Sequence, residues 1–174
     1  APTALRESLD WLGAHLGADP NGVPLQRASP VRIHVGGAGQ GSGWYDLPDW
    51  PPASAEQVFF LQPSRRLGEE RPAPGADAHF VYNPADPTPT IGGRLLSPAA
   101  GYRDDTALAR RADVLTFTSE PLATELRVVG EPFVELAHTC ANPHNDLFIR
   151  LSEVDAVGRS RNVSDGYLAS VPDG

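Results

Sequence analysis

Apolar positions near the start of the chain recur at helical spacing, with Leu5, Leu9, Leu12 and Leu16 on one stripe among polar and small residues. That period predicts one amphipathic helix over residues 3–16, with Thr3 as its N-cap and Gly17 as its stop. A turn at Ala18-Asp19-Pro20-Asn21-Gly22 and a proline-bounded loop then separate the helix from the rest of the chain. From Val31 onward the pattern changes to short runs with strand character: Val31 to Val35, Gln57 to Leu61, His79 to Tyr82, Val114 to Thr118, Leu126 to Val129, Phe133 to Thr139, Leu147 to Val154 and Tyr167 to Val171. Val31, Ile33 and Val35 alternate with Arg32 and His34, and Leu147, Ile149 and Leu151 alternate with Phe148, Arg150 and Ser152. A period of two gives each run one face for a core and one for solvent, so the apolar members and Val114 are the expected core positions. The fold class read from this is mainly β, an antiparallel β-sandwich preceded by one amphipathic helix. Residues 63–76, rich in Arg, Pro, Gly and Glu, are expected to be a surface connection.

Composition narrows the partners. The chain has 174 residues, 14 Lys+Arg against 22 Asp+Glu, and a formal charge of -8, enough for one domain with a sizeable core. The acidic balance argues against nucleic acid or an anionic membrane as a partner, and no apolar run approaches the length of a membrane span. Every basic residue is Arg, and the absence of Lys excludes a Walker phosphate loop, a Schiff-base lysine and a lysine general base. The single cysteine, Cys140, cannot close an intrachain disulfide, and no signal segment is recognisable, so the cytoplasm is expected over secretion.

Few groups carry candidate chemistry. Gly36-Gly37-Ala38-Gly39-Gln40-Gly41-Ser42-Gly43 follows a strand, but no register sets Gly at i, i+2 and i+5, and a strandless connection is expected where a helix should start. Ser42 lacks the glycine two residues earlier that a nucleophile elbow requires, since Gln40 stands there. His138, Cys140, His144 and Asp146 have metal-compatible side chains at a spacing that matches no standard site. Asn162-Val163-Ser164 fits the glycosylation sequon by a short match. His15, His34, His79, His138 and His144 find neither an elbow serine nor an oxyanion loop, so no catalytic group, metal site or cofactor is expected. Trp44, Tyr45 and Trp50, beside Pro51-Pro52, form either a domain contact or an aromatic platform for a sugar or peptide.

Three stretches go further: Pro30-Val-Arg-Ile-His-Val-Gly36 with Trp44-Tyr-Asp-Leu-Pro-Asp-Trp-Pro51, then Tyr82-Asn-Pro-Ala-Asp-Pro-Thr-Pro-Thr-Ile-Gly-Gly93, then Arg111-Ala-Asp-Val-Leu-Thr-Phe-Thr-Ser-Glu-Pro-Leu122. Their order and spacing, continued through Val128-Val-Gly130, Asn145-Asp146, Phe148 to Val154, Gly158-Arg159 and Asp165-Gly166, resemble the C-terminal domain of the cocaine esterase and X-Pro dipeptidyl-peptidase family of serine hydrolases. The resemblance implies a jelly-roll, galactose-binding-like β-sandwich over residues 23–174, with neither triad nor cofactor of its own, and residues 1–22 as the last helix of a preceding α/β-hydrolase domain plus linker. It implies as partners the hydrolase and cap domains of a parent protein, with a small ester or peptide substrate reached through that parent. It also implies that Leu95, Leu96 and Ser97 contribute apolar wall to the acyl pocket. Ser97 departs from the larger apolar residue common there, and residues 138–144 replace a stretch usually rich in Ser. The family's sandwich continues for several strands past Asp165-Gly166, so an unpaired edge and the bare leucine stripe are expected to make the isolated chain self-associate. The alternative is a free-standing carbohydrate- or peptide-binding module, which has no need of an apolar helical stripe.

Overall fold

The computed structural model describes residues 2–17, 29–37, 41–75, 78–142 and 144–170; the turn expected at residues 18–22 and the end of the last expected strand, Val171, lie outside them. Helix α1 (Pro2–Leu16) begins one residue before the expected cap. Proline suits a first helical position because its missing N–H has no intrahelical acceptor there, so Thr3 lies inside the first turn instead of capping it. Gly17 ends the helix, donating its N–H to the Gly13 carbonyl at 3.1 Å.

The chain divides into two units, Ala1–His34 with Trp44–Pro52, and Val35–Gly43 with Ala53–Gly174. The first holds α1 and, apart from Val35 and Gly43, the pair formed by β1 (Val31–Val35) with β2 (Gly43–Leu47). β1 has the expected bounds, whereas β2 stands where a strandless connection was expected, because a strand this short is recognisable mainly through its neighbour. Alternation turns Arg32, His34, Trp44 and Asp46 outward and leaves Val31, Ile33, Tyr45 and Leu47 half-buried. Arg32 grips Asp46 through Nε at 2.7 Å and Nη2 at 3.0 Å, and His34 meets Trp44 edge-on at 5.1 Å. Glu7 of α1 joins Arg32 at 3.0 Å, so the helix offers its Glu7 side to the strand pair. Leu5, Leu9, Leu12 and Leu16 stay exposed at 63, 58, 43 and 74%.

In the second unit β3 (Phe60–Gln62), a single 3-10 turn and β4 (Arg66–Gly68) form a tight antiparallel hairpin with Leu61 opposite Leu67. Ser64 and Arg65 turn the chain with φ of 59° and 62°, in the left-handed region that a reversal this short demands. The surface connection expected over 63–76 therefore contains a strand. Of the run Val114 to Thr118 only Thr118 pairs, accepting from the Leu67 N–H of β4 and donating to the carbonyl of Arg65 just before it, both at 3.0 Å. The runs at 79–82, 126–129 and 133–139 form no strand, since residues of strand character need a neighbouring ladder and none lies beside them among the described residues.

The longest ladder pairs β5 (Asn145–Val154) antiparallel with β6 (Ser160–Ser170). Asp155 makes its turn: Oδ1 accepts from the N–H groups of Val157 at 3.0 Å and Arg159 at 2.9 Å, and Gly158 takes a φ of 80°. Arg150 faces Asp165 across the ladder, but Ser152 faces Asn162, because a bulge between Leu151 and Ser152 leaves Val163 without a partner position. The extra residue flips the parity of β6, so Asn162 and Asp165 share one face with Arg150 and Ser152.

The described residues thus form a mainly β chain with antiparallel ladders and one amphipathic helix. No apolar residue among them is fully buried. Val31, Ile33, Val35, Val114, Leu147 and Ile149 are half-buried, and Leu151 is exposed at 39%. The buried side chains among the described residues are polar: Asp105 at 3% and Asn162 at 4%. Asn162 takes the Arg103 N–H at 2.7 Å and donates to the Gly101 carbonyl at 3.0 Å, which closes the sequon to modification once the chain is folded. Asn162→Ala is expected to cost about 2 kcal/mol, since it strands the Arg103 amide, while Val163→Ala stays within about 0.5 kcal/mol. Urea denaturation of the two variants checks this ordering, and equal losses would contradict it.

Candidate functional site

The proline-rich stretch from Asn83 to Gly93 is built as a braced loop. Asn83 turns it at the start, its side chain accepting from the Ala85 N–H at 3.0 Å and its carbonyl from the Asp86 N–H at 3.1 Å. Pro84, Pro87 and Pro89 then restrict φ along residues that no ladder holds. Arg111 clips the loop from outside: Nη2 donates to the Asp86 carbonyl at 2.7 Å, while Nε and Nη2 hold Asp113 in a fork at 2.7 and 2.8 Å. Thr88 closes the clip by donating to Asp113 at 2.8 Å. Asp113 is held down to about 2, chiefly by the bond from Arg111 and further by that from Thr88, against a desolvation that acts upward.

At the far end the loop docks on β5 and β6. Arg150 Nη1 donates to the Ile91 carbonyl at 2.6 Å and lies 3.5 Å from Asp105, while Nη2 lies 3.6 Å from Asp165. Ser152 donates to Asp105 at 2.9 Å. Gly92 and Gly93 follow with φ of 67° and 77°. A Cβ on Gly92 would stand 2.5 Å from Asn162 Oδ1 and one on Gly93 would strike Asp165, so both positions need glycine for space as well as for conformation. Gly93 and Gly101 exchange two backbone bonds of 2.9 Å, closing a turn over residues 94–100.

That closed turn carries the expected wall residues. Leu95 is half-buried, Leu96 is fully exposed, and Ser97 is exposed with its Oγ accepting from the Ala99 N–H at 3.2 Å. Leu96 is therefore the side chain of the three presented outward. His138, Cys140, His144 and Asp146 are spread along an exposed stretch of which residue 143 is not described, and among the described residues no three His, Cys, Asp or Glu side chains gather as metal ligands. Trp44 and Tyr45 point to opposite faces of β2, so they cannot share one platform. Sequence reasoning missed Asp105, Arg111, Asp113 and Arg150 as anchors. The signal was the glycine pair beside the prolines, which announces a close approach without naming its partners.

A family described as the X-Pro dipeptidyl-peptidase C-terminal non-catalytic domain matches residues 21–171. The chain belongs to that family. Proteins described as putative serine esterases in Mycobacterium bovis and Mycobacterium tuberculosis are each 29% identical over 138 residues, covering 74% of this chain and 21% of theirs. The cocaine esterase of Rhodococcus sp. is 30% identical over 154 residues, covering 79% of this chain and 26% of its own. The chain thus spans about a fifth to a quarter of the length of these relatives. No solved structure matches it. As a family member it is a non-catalytic domain.

The Asp113 clip sets a pH dependence. A carboxyl held below its ordinary value contributes stability that is complete above about 3.9 and is lost as pH falls through about 2. Protection of the Ala85 and Asp86 amides against exchange, taken relative to the intrinsic rate at each pH, is expected to stay flat from pH 7 to about 4 and to fall below it, in step with the Asp113 carboxyl resonance. A loss of protection already present near pH 6 would contradict the clip.

Proposed function

We propose that the chain is the C-terminal β-sandwich segment of a serine hydrolase acting on esters or X-Pro peptides. It packs on the hydrolase and cap domains, closes into a jelly roll with their help, and supplies no catalytic group. Residues 1–22 belong to the end of the hydrolase domain and residues 23–174 to the sandwich. Leu95, Leu96 and Ser97 line the acyl pocket, with Leu96 reaching furthest.

The observation that carries this reading is the bare apolar surface. Residues of the apolar class make up 40% of the chain, yet none is fully buried among the described residues. The helix offers a charged side, Glu7, to its own strand pair and leaves its leucine stripe uncovered. A polypeptide of this size normally stabilises itself by burying such surface, at roughly 25 cal/mol per Å². A neighbouring domain supplies the missing cover. Membership of a non-catalytic family and the serine esterase and cocaine esterase names of its relatives support a hydrolase as that neighbour. The binding-module alternative loses Tyr45 from its platform, because Trp44 and Tyr45 diverge.

A fluorophosphonate probe tests the chemistry. The isolated chain is expected to stay unlabelled and inert on p-nitrophenyl esters, while the parent takes one probe at a serine outside this chain. Labelling of any serine within residues 1–174 would overturn the reading. Sedimentation velocity tests the bare surface: the isolated chain is expected to self-associate, and a Leu9→Glu, Leu12→Glu variant to shift toward monomer. A wild-type monomer over a wide concentration range would contradict it.

A further inference from the structure

We propose that Arg150 is a positioning residue that sets where Leu96 stands and so tunes acyl selectivity; this rests on the pocket-wall reading above. Arg150 sits in the middle of β5 with its side chain 10% exposed, and no step of the proposed chemistry uses it. Its fork is turned so that Nη1 reaches the Ile91 carbonyl at 2.6 Å, even though Nε finds no acceptor among the described residues. Orientation toward the loop has therefore prevailed over full satisfaction of the guanidinium. Its cross-strand partner Asp165 accepts from Arg94 Nη2 at 3.1 Å through the backbone carbonyl. Ile91 and Arg94, on either side of the glycine pair, are thus tied to the same rung of the ladder. The Gly93–Gly101 exchange closes the turn directly beyond that rung, and Leu95 to Ser97 lie within it.

The chemistry is specific to arginine. One planar group must donate to a neutral carbonyl while facing the carboxylates of Asp105 and Asp165, and a guanidinium carries donors spread enough to do so. Lysine keeps the charge and loses the fork. The effect on substrate is indirect, because a turn displaced by a fraction of an ångström changes the wall that a long acyl chain meets and leaves a short one untouched.

The test uses the hydrolase that carries this domain, with p-nitrophenyl acetate and p-nitrophenyl hexanoate as probes. Leu96→Ala and Arg150→Met are each expected to lower the hexanoate-to-acetate ratio of kcat/KM by about tenfold. The double variant is expected to fall no further than Leu96→Ala, because both act on one contact. Arg150→Lys is expected to be intermediate, and amide exchange at Gly93 and Gly101 to rise in both Arg150 variants. If Leu96→Ala shifts the ratio and folded Arg150 variants do not, the positioning role is overturned and the wall reading stands, whatever the exchange data. Additive losses would equally overturn it. If Leu96→Ala leaves the ratio unchanged, the wall reading falls and the selectivity role with it. Should Arg150→Met not fold, Arg150→Lys decides, and an unchanged ratio there overturns the proposal.

Discussion

The Arg150 guanidinium is where stretches of chain far apart in sequence meet: the Ile91 carbonyl, the Asp105 carboxylate and Asp165 on β6. Taking such ions out of water is costly, and their mutual attraction repays it only when the groups are held in place. Here the ladder holds Arg150 opposite Asp165, and Ser152 on the next same-face position holds Asp105. Removing one member of a buried ion cluster costs about 3–5 kcal/mol, because the others are left without compensation. The cluster therefore works as a register device: it tolerates one arrangement of loop, turn and ladder and penalises the rest.

Polar burial of this kind stands beside an absence of apolar burial among the described residues. In most domains the fully buried positions are Ile, Val, Leu and Phe, and charged groups stay at the surface. Here the buried side chains among the described residues are those of Asp105 and Asn162, while Leu96, Phe133, Val81 and the leucines of α1 are exposed. Ion pairs and hydrogen bonds define geometry well but add little net free energy, whereas apolar burial supplies most of it. Under the proposed function, a chain that defines its geometry internally and leaves its apolar surface open takes its hydrophobic term from a neighbour. This is the energetic content of the proposal that the chain is a hydrolase's C-terminal segment.

The family likeness has a physical explanation in the same contacts. The proline-rich stretch and the stretch beginning at Arg111 are distant in sequence, yet Arg111 and Asp113 clip Asp86 and Thr88. Gly92-Gly93 and Asp165-Gly166 meet where Arg150 docks the loop. In each case one quoted motif of the second unit is half of a contact. Change on one side without the other leaves a buried donor or carboxylate without its partner.

Much of the local structure was legible in the sequence. Leucine spacing located α1 to within a residue, alternation located β1 and most of β5, and the glycine pair marked a close approach. These features depend on neighbours along the chain, which sequence period reports directly. What escaped were the features that depend on a partner elsewhere. β2 and β4 exist because β1 and β3 lie beside them. Arg150 and Ser152 read as a solvent face, since alternation tells which residues share a face and not whether a loop covers it. Asn162 read as a sequon and was found as a buried anchor, turned inward by the one extra residue at Val163. The sequence by itself determined the elements and their periods; tertiary structure decided which faces are covered, because parity across a bulge and the docking of a loop are relations between distant residues.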